Sequence, residues 1–165
     1  MMVTCLMTLE PESHSFLRGL LPEQRAALRS IATRRQFRPG EVILRQRETA
    51  DQFYLIEEGW VSLDYDLPRQ HLVKIQEIGP GEALGWSWLA PPNHWQFSAT
   101  AIDSVTASVF PVEALRDLFA RAPSLGYALM ERTAQALLER LQATRHKLRV
   151  YVERASGDEN TQQVS

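Results

Sequence analysis

The sequence is poor in the features that define several large classes of protein. Only one of its 165 residues, Cys5, is a cysteine, so the chain cannot form an internal disulfide and has too few thiolates for a cysteine-ligated cluster. No apolar run reaches the roughly 18 residues of a membrane span, and no basic segment precedes a long apolar stretch at the N-terminus. We therefore expect no membrane partner and no secretory signal, and we predict a cytoplasmic location.

The sequence also lacks the marks of a nucleic-acid-binding protein and of an enzyme. Its formal net charge is −2, so the chain as a whole has no electrostatic attraction for a phosphate backbone. It contains no P-loop, no Cys/His metal-ligand spacing and no nucleophile elbow. The adjacent carboxylates of Glu57 and Glu58 flank a turn, without a partner placed for acid–base work. We predict a protein that is not an enzyme, with no metal site and no nucleic-acid partner.

What the sequence does contain is a series of short strand patterns between two helical regions. Apolar spacing predicts helix from Ser15 to Arg34. Short strands with turns every 8–12 residues follow up to Phe110, among them two strands around a tight turn at Glu58-Gly59. A short helix over Val112–Ala122 and a long one from about Ser124 to Val152 complete the order. The pattern predicts an α+β fold, in which an antiparallel sandwich or barrel lies between N-terminal helices and a long C-terminal helix.

The same patterns predict the domain organisation. Residues 1–14 form a flexible lead-in, and residues 15–152 form one domain that includes the long helix, about 124–152. Residues 153–165 are polar and are predicted to be a disordered tail.

The most informative motif is the glycine-punctuated segment Gly79–Leu89, which a strand follows about ten residues later. Glycine lets the chain approach a ligand closely, and a helix N-terminus offers unpaired N–H groups to an anion. The segment resembles the phosphate-binding cassette of the cyclic nucleotide-binding domain, in the family of the catabolite activator and cAMP receptor proteins. Three further patterns match turns and strands of that family in the same order: Arg38-Pro-Gly-Glu-Val-Ile, Tyr54-Leu-Ile-Glu-Glu-Gly-Trp-Val and Ile78-Gly-Pro-Gly-Glu. The resemblance implies an antiparallel, jelly-roll-like β-roll of about eight strands, flanked by N-terminal helices and a long C-terminal helix.

The resemblance also shows what the cassette has lost. In that family a glutamate accepts a hydrogen bond from the ribose and an arginine pairs with the cyclic phosphate, but these positions hold Trp86 and Phe97. Ser98 stands where relatives often supply a hydroxyl to the phosphate, and Thr144 matches a threonine that contacts adenine. The resemblance thus implies a set of ligand-binding residues: Gly85, Trp86, Ser87, Trp88, Phe97, Ser98 and Thr144.

Two interpretations of this altered cassette stay open. Its aromatic side chains, with Trp95 among them, suit a flat ligand held by stacking, such as a cyclic nucleotide or another small molecule. Alternatively the rings fill the vacated pocket, and the β-roll is a ligand-free scaffold that docks another protein. Haem-binding relatives use a histidine as an axial ligand, but a lone loop histidine such as His94 is more often a surface residue. Haem is therefore a minor alternative, and no cofactor is assigned.

The long helix carries a second signal, a seam of residues at alternating spacings of four and three that is typical of a coiled coil. The seam comprises Met130, Ala134, Leu137, Leu141, Thr144, Leu148 and Tyr151. In the resembled family this helix forms a parallel dimer, so the resemblance implies a homodimer; the alternative is a helix that packs its stripe on its own β-roll. Transcription factors of the family continue with a winged helix-turn-helix, whereas 13 polar residues follow Val152 here. We expect a regulatory module without its own DNA-binding output. It either signals by binding an output protein partner or is a subunit whose ligand response alters the shape of its dimer.

Overall fold

A computed structural model describes residues 14–66 and 72–161, with side chains described as far as Glu153. Two short 3₁₀ turns lie at Ser15–Leu17 and Trp86–Leu89. The helices are α1 (Pro22–Ile31), α2 (Val112–Arg121) and α3 (Pro123–Thr161). The strands are β1 (Thr33–Phe37), β2 (Val42–Leu44), β3 (Gln52–Glu58), β4 (Val61–Tyr65), β5 (Val73–Ile78), β6 (Ala83–Leu84), β7 (Ser98–Ala101) and β8 (Val105–Pro111).

The strands form two four-stranded sheets with the orders β1-β8-β3-β6 and β2-β7-β4-β5. Every pairing within the sheets is antiparallel. The core is built largely from aliphatic residues on these strands, and its largest fully buried side chains include Leu55, Ile56, Val61, Ile78, Val105 and Val109. Eight antiparallel strands between helices confirm the predicted β-roll.

The turn at Glu58-Gly59 joins two strands as predicted, but it does not form a hairpin. β3 belongs to one sheet and β4 to the other, so the chain turns a corner between sheets here. Gly59 has a φ of 82°, and a Cβ atom at this position would lie 2.3 Å from the Ser104 carbonyl oxygen. Close approach at a sheet corner, rather than a two-residue hairpin loop, is therefore what requires glycine.

The predicted N-terminal helix from Ser15 to Arg34 is shorter than its apolar pattern suggested. Gly19, with a φ of 81°, separates the first 3₁₀ turn from α1, and Pro22 occupies the first position of α1. The helix ends at Ile31, and Arg34 already belongs to the edge strand β1. The apolar spacing continued across this break because Phe16, Leu17 and Leu20 are buried on either side of it.

His14, which the sequence placed in the flexible lead-in, is a buried anchor; residues 1–13 of that lead-in lie outside the described residues. Its Nε2 atom lies 2.9 Å from the Ile56 carbonyl oxygen, and its Nδ1 atom accepts a hydrogen bond from the Phe16 N–H at 3.3 Å. A carbonyl only accepts and an amide only donates, so the neutral imidazole with the proton on Nε2 satisfies both contacts. Burial lowers the pKa of His14 more than the Ile56 carbonyl and Glu57 raise it.

The chain divides into two compact units that meet in sequence between Gly126 and Tyr127. The first holds the two sheets, α1 and α2, and the second is the helix α3 from Tyr127 onward. The helix continues to Thr161, beyond the predicted end near Val152, and the sequence offers no proline there to interrupt its hydrogen bonds. Within the described ranges, no helix is both long and apolar enough to cross a membrane.

Candidate functional site

The cassette begins where the chain leaves β6 and enters the second 3₁₀ turn through Gly85. This residue has a φ of 93°, in the left-handed region that favours glycine. A Cβ atom at Gly85 would lie 2.9 Å from the Gln52 carbonyl oxygen and 3.2 Å from the Trp95 ring. Gly85 therefore allows close packing between β3, the cassette turn and the Trp95 indole. The close approach to a ligand that the glycine pattern indicated stays a prediction.

Trp86, which replaces the glutamate of the family, belongs to an aromatic cluster. Its ring centroid lies 5.5 Å from that of Phe16 and 5.0 Å from that of Phe53, and Phe53 in turn lies 6.0 Å from Phe110. These are tilted contacts at the distances that aromatic pairs favour. Trp86 is therefore a packing residue between the N-terminal turn and β3.

Trp88 is likewise a buried residue of the cassette turn, with a ring centroid 6.2 Å from that of Phe119 in α2. Its carbonyl oxygen accepts hydrogen bonds from Asn93 Nδ2 at 2.7 Å and from Arg116 Nη2 at 3.2 Å. Ser87 between the two tryptophans is half-buried. We call Gly85–Leu89 the first half of the cassette; two of its side chains, Trp86 and Trp88, pack against aromatic rings of the fold.

The second half of the cassette, residues 91–98, lies against the segment that connects β2 to β3. The Arg47 N–H donates to the Trp95 carbonyl oxygen at 2.9 Å, and the Trp95 N–H donates to the Glu48 carbonyl oxygen at the same distance. The Ala50 N–H donates to the Asn93 carbonyl oxygen at 2.8 Å. Backbone hydrogen bonds therefore fix this loop against residues 47–50.

Phe97 and Ser98 interact with residues of the neighbouring strands. Phe97, which replaces the arginine of the family, is 37% exposed and meets the Tyr65 ring edge-on, with a centroid distance of 6.0 Å. The Ser98 hydroxyl oxygen accepts a hydrogen bond from the Gln46 N–H at 3.0 Å. The Phe97 ring thus supports Tyr65, while Ser98 fixes the backbone of Gln46.

A cavity of about 350 Å³ lies beside the second half of the cassette. It is lined by polar, cationic and aromatic side chains: Gln46, Arg47, Tyr65, Pro92, His94, Trp95 and Gln96. None of the ligand-binding residues predicted from the sequence is among them. Three of the predicted residues nevertheless contact residues that line the cavity. Gly85 packs against Trp95, Phe97 contacts Tyr65, and Ser98 accepts a hydrogen bond from Gln46.

Few signals in the sequence point to this cavity. The arginines near Arg47 are interspersed with acidic residues, which is typical of a solvated face, and a lone loop histidine such as His94 is typical of a surface residue. The lining comes from the β2–β3 connection, the end of β4 and the cassette loop, which are distant in sequence. Only the aromatic content of the cassette, Trp95 in particular, hinted at a site for flat ligands.

The remaining predicted residues lie in the second unit. The Thr144 hydroxyl donates to the Arg140 carbonyl oxygen one turn earlier in the helix, at 2.9 Å. Of the predicted seam, Leu137, Leu141 and Leu148 are 43%, 46% and 61% exposed in the single chain. The adenine contact of Thr144 and the dimer seam stay predictions.

Arg47 is the arginine that lines the cavity. Arg47 is exposed, and within residues 14–66 and 72–153 no carboxylate lies within ion-pair distance of its guanidinium. Over the same residues, no group of three His, Cys, Asp or Glu side chains is placed to hold a metal ion. The cavity thus combines an unneutralised cation with amides and aromatic rings.

Comparison with known proteins agrees with this architecture. The model of the cyclic nucleotide-binding domain family matches residues 34–122. A structure described as a cyclic nucleotide-binding protein from Geobacter metallireducens is 30% identical, with a TM-score of 0.71 over 81% of this chain and 99% of the other. The catabolite activator protein of Thermus thermophilus is 25% identical, with a TM-score of 0.67 over 84% of this chain and 63% of its own. No curated protein matches.

The chain therefore belongs to the cyclic nucleotide-binding domain family, a family of regulatory ligand-binding domains. Its fold is also shared by the regulatory subunit of a cAMP-independent protein kinase A from Trypanosoma brucei, at 22% identity and a TM-score of 0.62, over 74% of this chain and 44% of that one. At that identity the likeness concerns the fold alone.

Proposed function

We propose that this chain is a non-enzymatic regulatory module that binds a small molecule other than a cyclic nucleotide. The proposal rests on two features of the cassette: its altered positions pack against other side chains, and a cavity beside them stays open. Trp86 packs with Phe16 and Phe53, and Phe97 packs with Tyr65, so neither family position offers a charged group to a nucleotide. A cavity of about 350 Å³ nevertheless remains open beside them. That volume lies within the range of about 300–1,000 Å³ that is usual for ligand sites.

The alternative is a ligand-free scaffold on the same fold, in which the aromatic residues plug the site. The position of Trp86 supports this alternative for the cassette itself. Arg47 and Gln46 favour a ligand at the neighbouring cavity, because an exposed guanidinium without an ion pair in the described residues can bind an anion. We favour the ligand-binding module for that reason.

Scanning fluorimetry of the full chain with nucleotides, haem and aromatic metabolites distinguishes the ligand-binding module from the ligand-free scaffold. A ligand at free concentration L that binds only the folded state stabilises it by RT ln(1 + L/Kd), so the melting temperature rises with the logarithm of the ligand concentration above Kd. The module predicts at least one concentration-dependent rise. A complete absence of stabilisation by small molecules, together with capture of a protein partner on the β-roll, would support the scaffold.

We also propose that the module works as a parallel homodimer through α3, in the cytoplasm, and that it transmits ligand binding to an output protein partner. Three exposed leucines on one stripe, Leu137, Leu141 and Leu148, support dimerisation. Replacing Leu137 and Leu141 with glutamate places unpaired charges in the seam and should dissociate the dimer. Sedimentation of the unmodified chain as a monomer at tens of micromolar would contradict this part of the proposal.

A further inference from the structure

We infer that the cavity beside the second half of the cassette binds a small planar anion, an aromatic ring that carries a carboxylate or a phosphate group. The inference rests on the proposed function and names its site and its ligand class. The site lies between the β2–β3 connection and the cassette loop, whereas the family cassette binds phosphate at the turn that begins with Gly85. None of Gly85, Trp86, Ser87 and Trp88 lines the cavity.

Arg47 provides the charge that selects an anion. Its guanidinium is suited to bidentate contact with a carboxylate or a phosphate. Within the described side chains it has no ion pair, so a ligand would not have to displace an internal partner. The backbone of Arg47 is fixed by its hydrogen bond to the Trp95 carbonyl oxygen.

The two glutamines of the cavity add oriented amides. Gln46 Oε1 accepts a hydrogen bond from the Asp66 N–H at 2.7 Å, so the Gln46 amide nitrogen is left to donate to a ligand. Gln96 Nε2 donates to the His94 carbonyl oxygen at 3.2 Å, which leaves its Oε1 as an acceptor. The anionic group of the ligand can thus accept hydrogen bonds from the Gln46 amide nitrogen and from Arg47. A polar substituent on the ligand ring can donate a hydrogen bond to Gln96 Oε1.

Aromatic side chains give the cavity its preference for a flat ligand. Trp95 is 5% exposed and packs against Gly85, so its indole is a rigid, largely covered part of the cavity wall. Tyr65, which is 37% exposed and is supported by Phe97, lines the same cavity and offers the more accessible ring. An aromatic ring stacked on such surfaces gains contact without ordering flexible side chains.

Backbone strain marks the same place. The non-glycine residues with positive φ in the described part of the chain are Arg47, at 73°, and Asn93, at 58°. Both lie in the two segments that form the cavity. Asparagine tolerates this region, whereas for arginine it is unfavourable and persists where the surrounding structure imposes it. The hydrogen bond between the Arg47 N–H and the Trp95 carbonyl oxygen is one such constraint, and it places a cationic residue at the cavity.

NMR titration of the full chain tests the inference. Phenyl phosphate and benzoate serve as probes, and phenol and benzyl alcohol are their neutral counterparts. Both anions, or one of them, should shift the backbone amides of Arg47 and Gln96 and the Trp95 indole N–H. The two anions distinguish a phosphate ligand from a carboxylate ligand. Arg47→Gln should weaken binding by about tenfold to a hundredfold, since one charged hydrogen bond is lost.

Arg45→Gln is the matched control, because Arg45 is also exposed, lies two residues away and does not line the cavity. It should leave the affinity unchanged. Shifts centred on Ser87 and Trp88 that are insensitive to Arg47→Gln would overturn the cavity site while leaving the proposed function intact. Equal binding of the neutral compounds would overturn the anion class. An absence of shifts with either anion at millimolar concentrations would overturn the inference, and the fluorimetry panel would then decide the proposed function separately.

Discussion

The two halves of the cassette have the same family origin but have acquired opposite roles. In Gly85–Leu89 the side chains of Trp86 and Trp88 pack on Phe53 and Phe119, so this half contributes to the stability of the fold. In residues 91–98 the side chains of His94 and Gln96 face a cavity, and this half contributes to its lining. The difference shows that one part of a loop can pack into the fold while the adjacent part borders an open cavity.

The clearest way to sharpen this comparison is to truncate one aromatic residue in each half. Trp86→Ala should lower the free energy of unfolding by about 3 kcal/mol, because it removes a ring packed on Phe16 and Phe53. Phe97→Ala removes a ring that is 37% exposed and should cost about 1 kcal/mol or less. Urea denaturation measures both. Equal destabilisation would break the division between a packing half and a cavity half.

Gly85 links the two halves, and a glycine elsewhere provides its control. Gly85→Ala should cost about 2–3 kcal/mol, because it adds a methyl group 2.9 Å from the Gln52 carbonyl oxygen to the strain of a positive φ. Gly40→Ala has a similar φ of 80° but no neighbour within 4 Å, so it should cost only about 1 kcal/mol. Thermal unfolding gives both values. A cost at Gly85 no larger than at Gly40 would mean that Trp95 is not held by this contact.

Two serines, one in each half of the cassette, test whether the Ser98 hydroxyl fixes the backbone of Gln46, which lines the cavity. Ser98→Ala leaves the part-buried Gln46 N–H without its acceptor and should cost about 1 kcal/mol. Ser87→Ala should be nearly neutral, because Ser87 has no side-chain hydrogen bond within the described residues. Chemical denaturation distinguishes them, and amide exchange at Gln46 should accelerate only in the first variant. Protection of Gln46 that is the same in both would contradict the assigned role.

The buried side chain of His14 should make the stability of the fold depend on pH. Burial lowers the pKa of His14 below its ordinary value of 6.5, so the unfolded chain binds a proton more readily than the folded one. The contribution of His14 is therefore complete above about pH 6.5 and is lost as the pH falls towards the folded pKa. His14→Gln should flatten the profile, because glutamine does not titrate. A wild-type stability that does not fall between about pH 7 and 5 would contradict this anchor.

The sequence was sufficient for the fold and for the frame of the cassette. Glycine and proline positions marked the turns, and short alternating runs marked the strands, because these signals are local. It missed the sheet corner at Gly59 and the buried His14, since both depend on which distant segments meet: the Ser104 carbonyl oxygen in one case and the Ile56 carbonyl oxygen in the other.

The site was less accessible to sequence reasoning. The motif located Gly85, Phe97 and Ser98 next to the cavity, but it did not reveal that Trp86 packs into an aromatic cluster. That outcome depends on Phe16 and Phe53, which lie 70 and 33 residues earlier in the sequence (86 − 16 and 86 − 53). Arg47 went unrecognised because its exposure suggested an ordinary surface cation.

Calorimetric titration of the unmodified chain with cAMP tests the central claim most directly. Loss of the family glutamate and arginine removes two charged hydrogen bonds worth about 1.5–3 kcal/mol each, or roughly two to four decades in affinity together. A ligand that an intact cassette holds at micromolar strength should therefore bind here at about millimolar strength or weaker. A stacking contact worth about 1 kcal/mol is too small to restore it. A dissociation constant in the micromolar range would contradict the altered-cassette account.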